Sequence, residues 1–181
     1  MLFFSYNERE VTRMLEYIEM TKENAYDYAK TSAQAWKESY SGIIDSDFLE
    51  KINQEDQLLE QAQKLIQNID DGSYRYLVKE NNQIIGIFRI RNTKYVGYTD
   101  HIELGALYLL NIGKGKGYGK KIWEFVIEKA KSLGYNKLIV GCLDQNPSNE
   151  FYRHMGAKYV QKNQIEIGKQ KLQENVYTID L

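Results

Sequence analysis

The chain has 181 residues, 43% of them hydrophobic, with 24 Lys and Arg against 25 Asp and Glu. That length and apolar fraction suit one folded domain with a real core, and a formal net charge of -1 argues against nucleic-acid binding through bulk charge. The single Cys142 excludes an internal disulfide, no Cys/His cluster has zinc-ligand spacing, and no apolar run approaches the roughly 20 residues that span a bilayer.

Residues 1–14 open with "MLFFSYNERE", an apolar start too short for a secretory signal. They read as an N-terminal extension to a domain over residues 15–181, in a soluble, cytoplasmic protein. "LEYIEM" reads as a short strand. Thr21 then caps a helix whose apolar face runs Ala25, Tyr28, Ala29, Ser32 and Trp36, at three- and four-residue spacing. "YSGIIDSDF" breaks that helix. A second helix follows, with Leu58, Leu59, Ala62, Leu65, Ile66 and Ile69 on one face.

"DDGS" is a turn, and "YRYLVKE" and "QIIGIFRIRN" around "NN" form a hairpin. "HIELGALYLL" is the next strand. From Tyr118 to Leu133 the positions Ile122, Phe125, Val126, Ala130 and Leu133 repeat as an amphipathic helix requires, with Gly134 at its C-terminal cap. "KLIVGCL" is an almost wholly apolar strand covered on both faces. Asn146 and Pro147 open a short helix, and the tail makes two strands around "GK". Strands before helices, then strand–helix–strand, indicate a mixed α/β sheet.

The stretch "NIGKGKGYGKK" sits between a strand and a helix. The dinucleotide pattern G-x-G-x-x-G fails at every register, because Tyr118, Lys120 and Ile122 occupy the third glycine position. The P-loop pattern fails too: Lys114 lies five residues before Gly119, and Lys121 follows Lys120. The physical capability remains. Glycines let backbone N–H groups converge, the next helix aims its positive end at them, and lysines add point charge. A pyrophosphate suits that arrangement; a flexible loop with solvated lysines explains it as well.

"ALYLLNIGKGKGYGKKIWEF" resembles the acyl-CoA motif of the GNAT superfamily of N-acetyltransferases, in which Arg/Gln-x-x-Gly-x-Gly/Ala opens a helix. Lys114, Gly117 and Gly119 stand at the motif positions, with Lys114 in place of the usual Arg or Gln. "NPSNEFYRHMGAKYV" is similar to a second family block, "AWKESYSGII" to the first-helix segment beside the acceptor, and the tail to the closing strands of a bacterial branch. The resemblance implies a mixed, mostly antiparallel six- or seven-stranded twisted sheet flanked by helices and splayed between the strand ending near Leu110 and strand 137–143. Acetyl-CoA as cosubstrate would lie in that splay, without any metal.

The resemblance also implies roles. Tyr108, Leu109, Leu110, Lys114, Gly115, Lys116, Gly117, Tyr118, Gly119, Lys120, Asn146 and Tyr152 would bind the cofactor, with the N–H of Leu109 or a neighbour as oxyanion donor. Tyr152 would protonate the departing thiolate, a suitable task for a phenol of reference pKa about 10 facing a thiol near 8.5. Glu103 would take the proton of the attacking amine, although a core-rim carboxylate explains it too. Asn146 caps a helix or contacts the pantetheine arm. Tyr108 reads also as structural. Cys142 lies inside an apolar strand, where a thiol is inert, and His101 and His154 lack ligand partners.

The expected acceptor is a small-molecule amine of polyamine or antibiotic type, drawn by Asp45, Asp47 and Glu50, with Ser46 or Asp47 as a plain helix cap being the alternative use of that stretch. Acetylation of a protein N-terminus or lysine, and a non-catalytic CoA-binding sensor, are the rival functions. No nucleic acid or membrane partner is expected, and the chain would act as monomer or homodimer.

Overall fold

The computed structural model describes residues 15–181; the N-terminal extension expected over residues 1–14 lies outside the described residues. Seven strands form one sheet: β1 (Leu15–Glu19), β2 (Tyr74–Glu80), β3 (Gln83–Asn92), β4 (Ile102–Leu109), β5 (Lys137–Leu143), β6 (Lys158–Ile167) and β7 (Gln170–Asp180). Their order is β1-β2-β3-β4-β5-β7-β6, and every pairing is antiparallel except β4 with β5. The hairpin expected at "NN" is present. Asn81 and Asn82 both take positive φ, 49° and 66°, as the tight turn matching strand twist requires.

Helices cover both faces. Helices α1 (Ala25–Tyr40) and α3 (Glu55–Gln67) pack on one side, where Ala25, Tyr28, Ala29, Ala62 and Leu65 meet Leu77 and Ile87. On the other side, α4 (Tyr118–Ser132) buries Ile122, Trp123, Val126 and Ala130 against Phe88, Leu104 and Val140. Ile122 and Val126 are wholly buried, worth about 1.5–3 kcal/mol each in transfer free energy. Helix α4 ends as its sequence dictates: Gly134 takes φ 85° just past the cap.

Two starts differ from expectation. The first helix begins at Ala25 with Asn24 before it, and Thr21 is not its cap: the Thr21 N–H donates to Asn24 Oδ1 at 2.8 Å. The break after Tyr40 contains an extra helix, α2 (Ser46–Lys51), capped by Asp45, whose Oδ1 accepts from the Phe48 N–H at 3.0 Å. Neither Ser46 nor Asp47 is the cap, because both already lie in the helix and it is the Asp45 side chain that bonds its first turn.

Candidate functional site

The sheet opens along one line. Strands β4 and β5 pair at three positions, Ile102 with Leu138, Glu103 with Ile139 and Leu104 with Val140. Beyond Leu104, β4 follows β3 while β5 follows β7. The cause lies partly in β4 itself. Register shifts there, so that Arg89 faces Ala106 and the next residue, Ile90, faces Leu104, which leaves Gly105 as a bulge. Side chains therefore change face at Gly105: Leu104, Leu107 and Leu109 join the α4 side, while Ala106 and Tyr108 join the α1 side.

A cleft of about 640 Å³ fills the opening. One wall is the free edge of β4. The Leu110 N–H bonds the Ile85 carbonyl on β3 at 2.8 Å, so strand alternation turns the Leu109 N–H the other way, toward the cleft. At the mouth lies the glycine turn. Gly115 and Gly117 take φ 74° and 76°, and a Cβ on either would meet nothing within 4 Å. Gly117 directly precedes α4, so the free N–H groups and positive end of that helix face the turn.

All the residues expected to bind the cofactor border this cleft except Leu110, Lys116 and Tyr118. The Lys116 Nζ pairs with Glu80 Oε2 at 2.7 Å, and the buried Tyr118 donates its hydroxyl to Glu80 Oε1. Those two side chains anchor the turn to β2. Lys114 stays at the mouth, donating to Asn111 Oδ1 at 2.9 Å.

The inner end of the cleft holds a tyrosine cluster. Tyr152, on α5 (Ser148–His154), is 5% exposed, and burial raises its pKa well above 10, with Cys142 and Tyr108 adding to the effect. Its hydroxyl makes no hydrogen bond among the described residues while its ring packs on Trp123 and Phe151. The Tyr108 and Tyr40 hydroxyls lie 2.9 Å apart beside it. Burial pushes the Cys142 thiol up to about 12, so it is inert as a nucleophile.

Helix α5 is fixed by a residue that the sequence did not single out. Asn149 Nδ2 donates to the carbonyls of Leu143, Asp144 and Asn146, and its Oδ1 accepts from Tyr177 Oη at 2.8 Å and Asn175 Nδ2 at 3.2 Å. Its position inside "NPSNEFY" is the only signal the sequence carries of this. Asn146 Oδ1 accepts from the Ser148 N–H at 2.8 Å, but Pro147, not Asn146 as expected, holds the cap position before α5, and Asn146 also borders the cleft.

Glu103 is not brought to the cleft. It is 2% exposed, its Oε1 accepts from Arg91 Nη2 at 2.6 Å, and its Oε2 accepts from the Lys94 N–H at 2.9 Å. Both oxygens are engaged in holding the loop after β3, which gives the expected base role no support. Asp45 caps α2, Glu50 pairs with Lys37 at 2.7 Å, and none of Asp45, Asp47 and Glu50 borders the cleft. His101 bonds Asp100 at 2.7 Å, and His154 borders the cleft. Among the described residues no helix is long and apolar enough to cross a membrane, and no group of three or more His, Cys, Asp or Glu is placed to hold a metal ion.

Comparison with known proteins agrees with this layout. The sequence model of the acetyltransferase (GNAT) family matches residues 34–157. The uncharacterized N-acetyltransferase YuaI of Bacillus subtilis is 27% identical over 157 residues, covering 84% of this chain and 85% of that protein. In fold, the chain is similar to the PaiA N-acetyltransferase of Thermoplasma acidophilum in complex with coenzyme A, with a TM-score of 0.72 at 18% identity over 93% of this chain and 99% of that one. It is also similar to yncA of Salmonella typhimurium, a putative acetyltransferase with its cofactor acetyl-CoA, with a TM-score of 0.66 at 15% identity over 92% and 93% of the two chains. The matched segment contains both edges of the split, the glycine turn and α5, and on that ground the chain belongs to the GNAT family of acetyltransferases.

Proposed function

We propose that the protein transfers the acetyl group of acetyl-CoA to the amine of a small molecule, by direct attack with donor and acceptor held together. The observation that carries this reading is the cleft between β4 and β5, with left-handed glycines at its mouth and, inside, a tyrosine hydroxyl without a partner among the described residues. The structurally similar PaiA and yncA proteins were solved with coenzyme A and acetyl-CoA, which supports the same donor here.

The residues divide the work by chemistry. Gly115, Gly117 and Gly119 let main-chain N–H groups reach the pyrophosphate, with Lys114 and Lys120 adding charge. Lys116 and Tyr118, whose side chains are held by Glu80, contribute through their backbone. Tyr108, Leu109 and Asn146 line the pantetheine arm, while Leu110, outside the cleft, ties the end of β4 to β3. The Leu109 N–H receives the negative charge that builds on the thioester oxygen. As the nitrogen–carbon bond forms and the carbon–sulfur bond breaks, Tyr152 gives its proton to the sulfur and regains one from water. The attacking amine loses its proton to solvent through the cleft. Glu103 acts indirectly, by fixing Arg91 and the loop that follows it.

Thiol release from acetyl-CoA across a panel of primary amines tests the reading. Release that depends on an amine, with a matching acetylated product by mass, is the expected result. Tight coenzyme A binding with no release from any amine would replace the enzyme by a sensor module.

A further inference from the structure

A second cavity, of about 330 Å³, lies on the α1 side of β4 and shares Gly105, Ala106 and Tyr108 with the cleft. It meets the same stretch of β4 from the α1 side. Its walls are chiefly apolar and aromatic, with Tyr28, Trp36, Phe48 and Leu58 on the helical side. Among the described residues no Asp or Glu lines it, and the one charged lining group is Arg89.

Arg89 is unusual among its neighbours. Three arginines sit close together on β2 and β3, and two have carboxylates: Arg75 pairs with Asp71 at 2.5 Å and Arg91 with Glu103 at 2.6 Å. Among the described residues Arg89 has no ion pair or hydrogen bond; its Nε is a buried donor without an acceptor, as are those of Arg75 and Arg91, so the missing carboxylate is what sets it apart. Burial, then Arg91, pulls its pKa down, with Arg75 acting in the same direction and Tyr28 and Glu103 opposing. Its charge persists nevertheless, since a guanidinium does not deprotonate in proteins.

The bulge explains how the group fits. A Cβ on Gly105 would stand 3.1 Å from Arg89 Nε and 2.9 Å from Arg91 Nε, so only glycine lets both guanidinium groups lie against β4. An uncompensated cation held there is destabilising until an anion arrives. The planar fork matches a carboxylate, and a single guanidinium balances one negative charge.

We infer that the acceptor is an amine that also carries a carboxylate, of amino-acid type, with the carboxylate on Arg89 and an apolar part among Trp36, Phe48 and Leu58. This rests on the acetyltransferase reading and replaces a polyamine, whose charge Arg89 repels.

Calorimetry on the full chain saturated with coenzyme A compares phenylalanine with phenethylamine, which differs by lacking the carboxylate. Phenylalanine is expected to bind at least about 10-fold tighter, the ratio a charge-assisted hydrogen bond supports. Arg89→Gln should bring the two within about twofold, and Arg89→Lys should keep part of the preference. A thermal melt verifies the fold of each variant, and Arg89→Lys carries the comparison if the Gln variant unfolds. Equal or tighter binding of phenethylamine or spermidine, no binding of phenylalanine, or an unchanged preference in a folded Arg89→Gln variant overturns the inference. Thiol release with spermidine alone leaves the transferase standing and removes the carboxylate. Carboxylate-dependent binding without release from any amine does the reverse.

Discussion

A phenol buried among aromatic rings has one chemical asset, a proton that it keeps. Burial holds the Tyr152 pKa above its ordinary value, so the donor stays protonated throughout the neutral range. Tyr152→Phe removes that proton and little else, since the ring contacts with Trp123 and Phe151 survive. Turnover should fall about 100-fold or more, the low end for a general acid. Steady-state kinetics beside coenzyme A titrations check this; an unaltered kcat would take Tyr152 out of the mechanism. Glu103 shows the limit of reading single residues. A carboxylate on the strand beside the motif has the right type, but type does not reveal that Arg91 and the Lys94 N–H already hold both its oxygens. Arg89 is the converse: one Arg of a pair on a β-strand, indistinguishable by pattern from Arg91, becomes distinct only through the lack of a carboxylate partner among the described residues.

Single elements were legible wherever local chemistry decides them. The Asn81–Asn82 turn, the Gly134 cap and the periodicity of α4 all follow from backbone sterics and side-chain spacing. The start of α1 was misplaced because Thr21 and Asn24 are both capping types and lie three residues apart; the bond from Thr21 to Asn24 resolves which one stands next to the helix. At the glycine turn, Gly117 takes φ 76° with open space where a Cβ would point. Gly117→Val thus strains the backbone, by about 1–2 kcal/mol, and fills the space into which a diphosphate would settle. The dissociation constant for coenzyme A should rise about 10-fold or more while the melting temperature falls by about 2–8 °C, leaving the protein folded at about 25 °C. Calorimetry and a thermal melt on one sample distinguish this from unfolding, and unchanged affinity would remove the turn from the cofactor site.

At the scale of the whole molecule, the tyrosine-rich core gives the stability a pH signature. The tyrosines number 15 in this chain. Burial pushes Tyr28 up to about 12 and raises Tyr108 and Tyr152, while the Cys142 thiol also rises to about 12. The unfolded chain releases these protons nearer 8.5 for the thiol and 10 for the phenols, so above those values it binds fewer protons than the native state. Stability is then fully present below about pH 8.5 and declines as pH rises toward 12. Urea midpoints should be similar at pH 7 and 8 and clearly lower at pH 10.5. A midpoint that holds or climbs at pH 10.5 would contradict the burial of these groups.

The amino-acid order by itself determined the strands, the longer helices, the hairpin, the glycine turn and the family pattern, because each depends on contacts within a dozen residues or on spacing along one element. The three-dimensional arrangement alone decided the bulge at Gly105, the engagement of Glu103, the Asn149 network and the charge of Arg89, unmatched among the described residues. Those features are sums over partners from several strands and helices, and charge balance in a cavity exists only after the chain has brought its walls together.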